Sequence, residues 1–191
     1  MTPGLYAYFS FVHACGVIGL FAAIGLEAAA VYRIGTTRSA TVVRENLSML
    51  GFLETALPGA VVLVLISGVT MVLLRWGWWQ AWIDSALAVL VLLAVLGPLV
   101  TGRRVTRVRV ALARGEQAGE DLPGQVVPLV ADPVLLGYAP TPAVMGLAIV
   151  ALMVFKPDWT GCVEMLCAAL VVSLALGQVV VRRIHSAQHT G

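Results

Sequence analysis

Five long apolar runs constrain this chain more than any other feature of it. They cover residues 5–32, 47–74, 82–101, 134–155 and 161–181. A helix rises about 1.5 Å per residue, so about 20 apolar residues cross a hydrocarbon layer about 30 Å thick. The runs reach that length or come near it. They do not alternate apolar with polar positions, and an open sheet could not satisfy its edge groups in lipid. The expected fold is therefore all-α: a polytopic membrane bundle of about five transmembrane helices, forming one domain across residues 1–191. Composition agrees, because only 12% of residues are charged, about half the share a water-facing surface needs. The first run is longer than the apolar core of a signal peptide, and Met1–Gly4 carries no basic residue, so it reads as a retained helix.

The fourth run is irregular. Asp132-Pro133 suits an N-cap and first turn, yet Pro140 and Pro142 follow within it. Thr141-Pro142 offers a second starting point, and a kink or short irregular entry is expected near Tyr138. Such backbone must be buried in protein or sit at the interface.

Basic residues set the expected orientation. Arg33, Arg38 and Arg44 follow the first run. Arg103, Arg104, Arg107, Arg109 and Arg114 follow the third, and Arg182 and Arg183 follow the fifth. Together they are ten of the twelve basic residues, which the positive-inside rule assigns to the cytoplasm. An odd number of spans then leaves the N-terminus outside and the C-terminus in the cytoplasm, as expected for a bacterial inner membrane protein. Trp76, Trp78, Trp79, Trp82 and Trp159 fall at the opposite ends of the runs, with Tyr6 and Tyr8, and read as an outer aromatic belt.

The cytoplasmic segment over residues 102–132 begins with RRVTRVRVALAR, in which Val105, Val108 and Leu112 recur at helical spacing. It is expected to continue the third helix. Arg103, Arg104, Arg107 and Arg109 could meet anionic lipid headgroups, at about 1 kcal/mol each; plain topological charge is the competing reading. No aromatic residue is interleaved with the arginines, so nucleic acid is not an expected partner. Gly115–Gln125 reads as a polar loop.

Ionisable groups inside apolar runs are costly, so each is a functional candidate. They are His13 and Glu27 in the first run, Glu54 in the second and Glu164 in the fifth, joined by the polar Gln178. His13, Leu20 and Glu27 share one helical face with Gly16 and Ala23, small enough to admit a neighbouring helix. Glu164, Val171 and Gln178 repeat that spacing, with Ala168 and Ala175 between them. Both stripes are expected to face the bundle interior. Depth arranges them as an outer layer of His13 and Glu164 and an inner layer of Glu27, Glu54 and Gln178.

Each group has a structural and a chemical reading. His13 could ligate haem iron or copper beside Glu164 or Met165, or hand a proton to Glu164; alternatively it hydrogen-bonds across helices and fixes their register. Glu27 and Glu54, if neighbours, would keep at least one carboxyl protonated and suit proton or cation handling; alternatively they reach to Arg33 and Arg44 as interfacial pairs. Cys15, Cys162 and Cys167 show no metal-ligand spacing and read as small packing residues. No nucleophile–base motif of a soluble enzyme is present.

The order of three segments carries a family resemblance. A histidine- and glycine-bearing first helix (YFSFVHACGVIGLFAAIG, Tyr8–Gly25) precedes an arginine-bearing loop. A second helix ends at a tryptophan cluster (WGWWQAW, Trp76–Trp82), and a later one ends in LMVFKP (Leu152–Pro157). Over roughly residues 5–158 this resembles a family of predicted bacterial integral membrane proteins of unknown function, distantly similar to the membrane domain of copper-resistance protein D. The resemblance implies a four-helix core to which the fifth helix is an addition. It also implies copper handling or haem b binding, with His13 matching a histidine of the pattern. Three functions follow as expectations. The first is binding of a partner subunit, a second copy or a lipid-like ligand within the bundle. The second is haem or copper binding through His13, and the third is proton-coupled transport through Glu27 and Glu54.

Overall fold

The computed structural model describes residues 3–114 and 121–189, so most of the predicted polar loop at 115–125 lies outside the described residues. Helix α1 spans Pro3–Thr36. Helix α2 spans Ala40–Met71 and runs on through a π turn, Val72–Trp76. Helix α3, Ala81–Gly97, continues through a second π turn, Pro98–Gly102, into α4, Arg103–Arg114. The short α5 (Val127–Val130) and α6 (Pro133–Tyr138) lead to α7, Thr141–Phe155, and α8 covers Trp159–His189. No strand occurs among the described residues; Ser39 and Asp121 form an isolated bridge. Five helical stretches are long and apolar enough to cross a membrane, as the apolar runs predict.

The helices overrun the runs at the arginine-rich end, and packing explains why. Helix α2 starts at Ala40 rather than near residue 47 because Val43, Asn46 and Leu47 are buried there. Their partners are Ala30 and Ile34 of α1, Val105, Val108 and Leu112 of α4, and Val126 and Val130 around α5. The apolar stripe of the basic segment therefore packs on protein. Two of its four candidate headgroup arginines are engaged within the chain: Arg104 with Asp132 and Arg109 with Glu54, both at 3.0 Å. Arg103 and Arg107 remain exposed. Helix α8 likewise runs past residue 181, because Ile184 packs against Val31, Leu135 and Leu136.

The fourth run is broken near Tyr138, where its prolines led to the expectation of a kink or a short irregular entry. Asp132 caps α6, its carboxylate accepting from the Val134 and Leu135 amides at 2.8 and 3.3 Å. The chain turns at Ala139-Pro140, and α7 starts at Thr141. Helix α8 covers this break. Gly177 of α8 meets the backbone carbonyl of Gly137 directly. The buried Ser173 hydroxyl donates to Thr141 Oγ1 at 2.7 Å. Small residues that admit a backbone and hydroxyls that bond across helices are the usual adhesive of membrane bundles.

These contacts fix the rotation of α8, and they overturn one expectation. Its inward face carries Cys162, Ser173, Gly177 and Ile184. The stripe of Glu164, Ala168, Val171, Ala175 and Gln178 is exposed, not interior. Only a glycine can meet the Gly137 carbonyl, so the position of Gly177 decides which stripe turns outward. The α1 stripe does face inward: Gly16, Leu20, Ala23 and Ala30 are buried, and a Cβ at Gly16 would lie 3.0 Å from Val64 of α2.

A Cβ at position 177 would overlap the Gly137 carbonyl. Gly177→Ala should therefore cost about 1–3 kcal/mol, as overpacking does. Gly19→Ala, with open space around it, should be neutral or slightly stabilising. Thermal unfolding in mild detergent reads both, and an unperturbed Gly177→Ala would contradict the α6–α8 contact.

Candidate intramembrane groove

The four helices of the core do not close on one another. Helix α2 packs along α1, and α3 packs along α7, while α2 and α3 barely touch. A groove of about 990 Å³ lies between the two pairs, at the upper end of the range for small-molecule sites. Its walls are almost wholly apolar, supplied by residues such as Phe21 and Ile24 of α1, Leu57 and Val61 of α2, Leu90 of α3 and Ile149 of α7. Helix α8 contributes nothing to the lining.

Polar groups appear at separate levels along it. At the end where the tryptophans cluster, Tyr6, Trp76, Trp82 and Lys156 line the mouth. Trp76 Nε1 donates to the Tyr6 hydroxyl at 3.3 Å, and Trp76 stands edge-on to Trp82 with centroids 5.3 Å apart. Trp82 is buried, so the expected aromatic belt divides: Trp76 and Trp82 turn inward, Trp78 borders the groove while half-exposed, and Trp79 and Trp159 are exposed.

His13 also lines the groove, on the face of α1 that meets α2. Its Nδ1 lies 3.1 Å from both the Val64 carbonyl and Ser67 Oγ. The Ser67 hydroxyl donates its one hydrogen to the Leu63 carbonyl at 2.6 Å. In the tautomer with the proton on Nδ1, the ring donates to the Val64 carbonyl and Nε2 is the acceptor nitrogen. Space for the ring comes from Gly68, where a Cβ would lie 3.1 Å from Cε1. The histidine thus joins α1 to α2. Glu164 points away from the bundle, and Met165 packs in the cluster around Trp82 and Leu152. Among the described residues no three His, Cys, Asp or Glu side chains gather as a metal ion would require. The two residues expected to join His13 at a metal, Glu164 and Met165, are thus placed elsewhere.

The two inner glutamates have different surroundings. Glu27 lines the groove near the buried Thr101, on the second π turn. Glu54 is half-exposed and pairs with Arg109 of α4 rather than with Arg44. Both line the groove, but only Glu54 is neutralised by a salt bridge. Tyr138, beside Glu27, has a buried hydroxyl that finds no hydrogen-bond partner among the described residues. Neither Thr101 nor Tyr138 stood out in the sequence as a site residue, since a lone hydroxyl in an apolar run is ordinary. The cysteines are all free, with Cys162 buried and Cys15 and Cys167 exposed.

Removing the His13 ring should cost about 1 kcal/mol, one hydrogen bond's worth. Gly68→Ala should also destabilise by crowding that ring. Because the crowding disappears with the ring, the double variant His13→Ala/Gly68→Ala should be more stable than the two single effects predict. Additive losses in thermal unfolding would mean that the two residues do not touch.

Neither curated proteins nor solved structures gave a match to the chain. Residues 7–157 match the model of a family described as predicted integral membrane proteins, DUF2269. The match covers α1 through α7, the elements that enclose the groove, and stops before α8. The chain is a multi-pass integral membrane protein and belongs to this family.

Proposed function

We propose that the protein binds an amphiphile, a lipid or lipid-like molecule, with its apolar chain in the groove between α1–α2 and α3–α7. The observation that carries this reading is the groove itself: about 990 Å³ of apolar space, within helices whose outer faces contact hydrocarbon. In water such a surface would be a liability. Within a bilayer the groove is filled by acyl chains, and the gap between α2 and α3 offers lateral entry. Polar groups near both ends, Lys156 with Trp76 and Tyr6 at one and Glu27 with Thr101 at the other, suit a ligand that is apolar along most of its length.

This reading includes an orientation. The arginine-rich end faces the cytoplasm of a bacterial inner membrane, on the positive-inside rule, and the tryptophan end faces outward. Proton coupling through paired glutamates has less support, because Arg109 neutralises Glu54 and Glu27 lies by Thr101 instead.

The experiment is native mass spectrometry of the protein extracted in mild detergent. A lipid adduct is expected. Filling the groove from facing helices, with Leu57→Trp and Leu90→Trp together, should lower adduct occupancy roughly tenfold. Leu174→Trp, on the outward face of α8 where Leu174 is 59% exposed, should leave it unchanged. No adduct, or one indifferent to filling, would overturn the proposal.

A further inference from the structure

We propose that the tryptophan-end mouth of the groove is a binding site for the phosphate of an anionic lipid headgroup, held by Lys156 and Arg75. The inference rests on the groove holding a lipid chain, and adds which lipids it prefers.

Positive-inside bias strips basic residues from the non-cytoplasmic end of a membrane protein. Here two of the twelve remain at the tryptophan end, Arg75 and Lys156. They are far apart in sequence, yet the fold brings them to one ring. Lys156 Nζ lies 4.2 Å from the centre of Trp76 and 5.6 Å from that of Trp82. Arg75 Cζ lies 5.7 Å from Trp76 and 5.2 Å from Tyr6. Tyr6, Trp76, Trp82 and Lys156 all line the groove mouth.

Among the described residues neither cation meets a carboxylate. The ion pairs among the described residues are Arg104–Asp132 and Arg109–Glu54, both at the other end. Asp84 and Asp158 belong to the tryptophan end of the bundle without pairing to either. Both cations are exposed, so an anion at the mouth can reach them and offset their charge. The aromatic ring faces orient the cations and leave their N–H groups available to an oxygen acceptor.

Local backbone gives an independent indication. Lys156 terminates α7 in the left-handed region, with φ 49° and ψ 53°. Glycine is the residue favoured there, and a lysine adds strain. Arg75 and Trp76 sit on the π turn that ends α2, a distortion often found at functional sites. Both cations are thus delivered by irregular helix ends, at the level where an aromatic belt marks the headgroups. Phosphate is the anion abundant at that depth, and lysine and arginine are its usual partners.

The test measures retention of phosphatidylglycerol against phosphatidylcholine with identical acyl chains, by native mass spectrometry of the full-length protein exchanged into each lipid. The wild type should retain the anionic lipid preferentially. Arg75→Gln and Lys156→Gly should each lower the preference about fivefold, the effect of one basic residue near a membrane surface. Retention of phosphatidylcholine, whose phosphate charge is offset by its own choline, should fall much less. Lys156→Gly places the favoured residue in the left-handed position, so its melting temperature should be equal or higher, which separates lost recognition from lost folding. Equal retention of both lipids by the wild type would overturn the headgroup site and leave the groove reading standing. Retention of neither would overturn both. Inorganic phosphate added to delipidated protein should not raise the melting temperature. A rise matching that given by phosphatidylglycerol would assign the site to a free anion instead.

Discussion

The rest of the structure depends on the close approach of α1 and α2. Lipid offers helices no hydrophobic reward for meeting, because acyl chains are as apolar as leucine. Contact must instead come from shape and from polar groups that have no better partner. Helix α1 supplies both along one face: Gly16 admits Val64, and His13 reaches the Val64 carbonyl beside Ser67. Gly68 leaves room for the imidazole. With this pair fixed, α3 and α7 form a second pair, and the groove is the space the two pairs do not fill.

Burial follows the solvent. At the arginine-rich end water drives apolar groups together, and Ala30, Ile34, Val43, Val108 and Val130 are almost wholly buried in one cluster. In the spans the share of buried residues is small, since lipid serves as well as protein around a leucine. The arginine-rich end is thus packed like a soluble domain and closes the bundle on that side. The same contrast explains why α4, though rich in arginine, is not simply a lipid-facing helix: its valines had water to escape and a protein surface to escape to.

Much of this was legible in the chain, and what was not has a common cause. Span number, the continuation of the third helix, the Asp132 cap and the break before Thr141 follow from length, proline and local capping, which act over a few residues. The inward face of α1 follows from periodicity. The same periodicity misled for α8, where two stripes of small residues compete. Choosing between Gly177 and the Ala168–Ala175 stripe requires knowing that Gly137 presents its carbonyl, a fact of tertiary structure. Pairing fails similarly. Arg44 and Arg109 are both plausible partners for Glu54, and only the return of α4 along α2 decides between them. Lys156 and Trp76 are eighty positions apart in sequence, and nothing local announces that they meet.

An apolar groove of this size would collapse or aggregate in water. In a bilayer it does neither, because the solvent that surrounds the helices also fills the gap between them. On the proposal that the groove holds an acyl chain, its walls discriminate little: one chain would lie against Leu57 and Leu90 much as another would. Selectivity has to come from groups that hydrocarbon cannot satisfy, and these stand at the groove's polar levels. At one are Glu27 and Thr101, on the π turn that joins α3 to α4; at the other are Lys156 and Trp76, beside the π turn that ends α2. Both distortions lie where the ladder of helical bonds could be loosened near a polar boundary without leaving backbone groups bare in the lipid centre. The two π turns thus stand near opposite ends of the groove, one carrying Trp76 and the other Thr101.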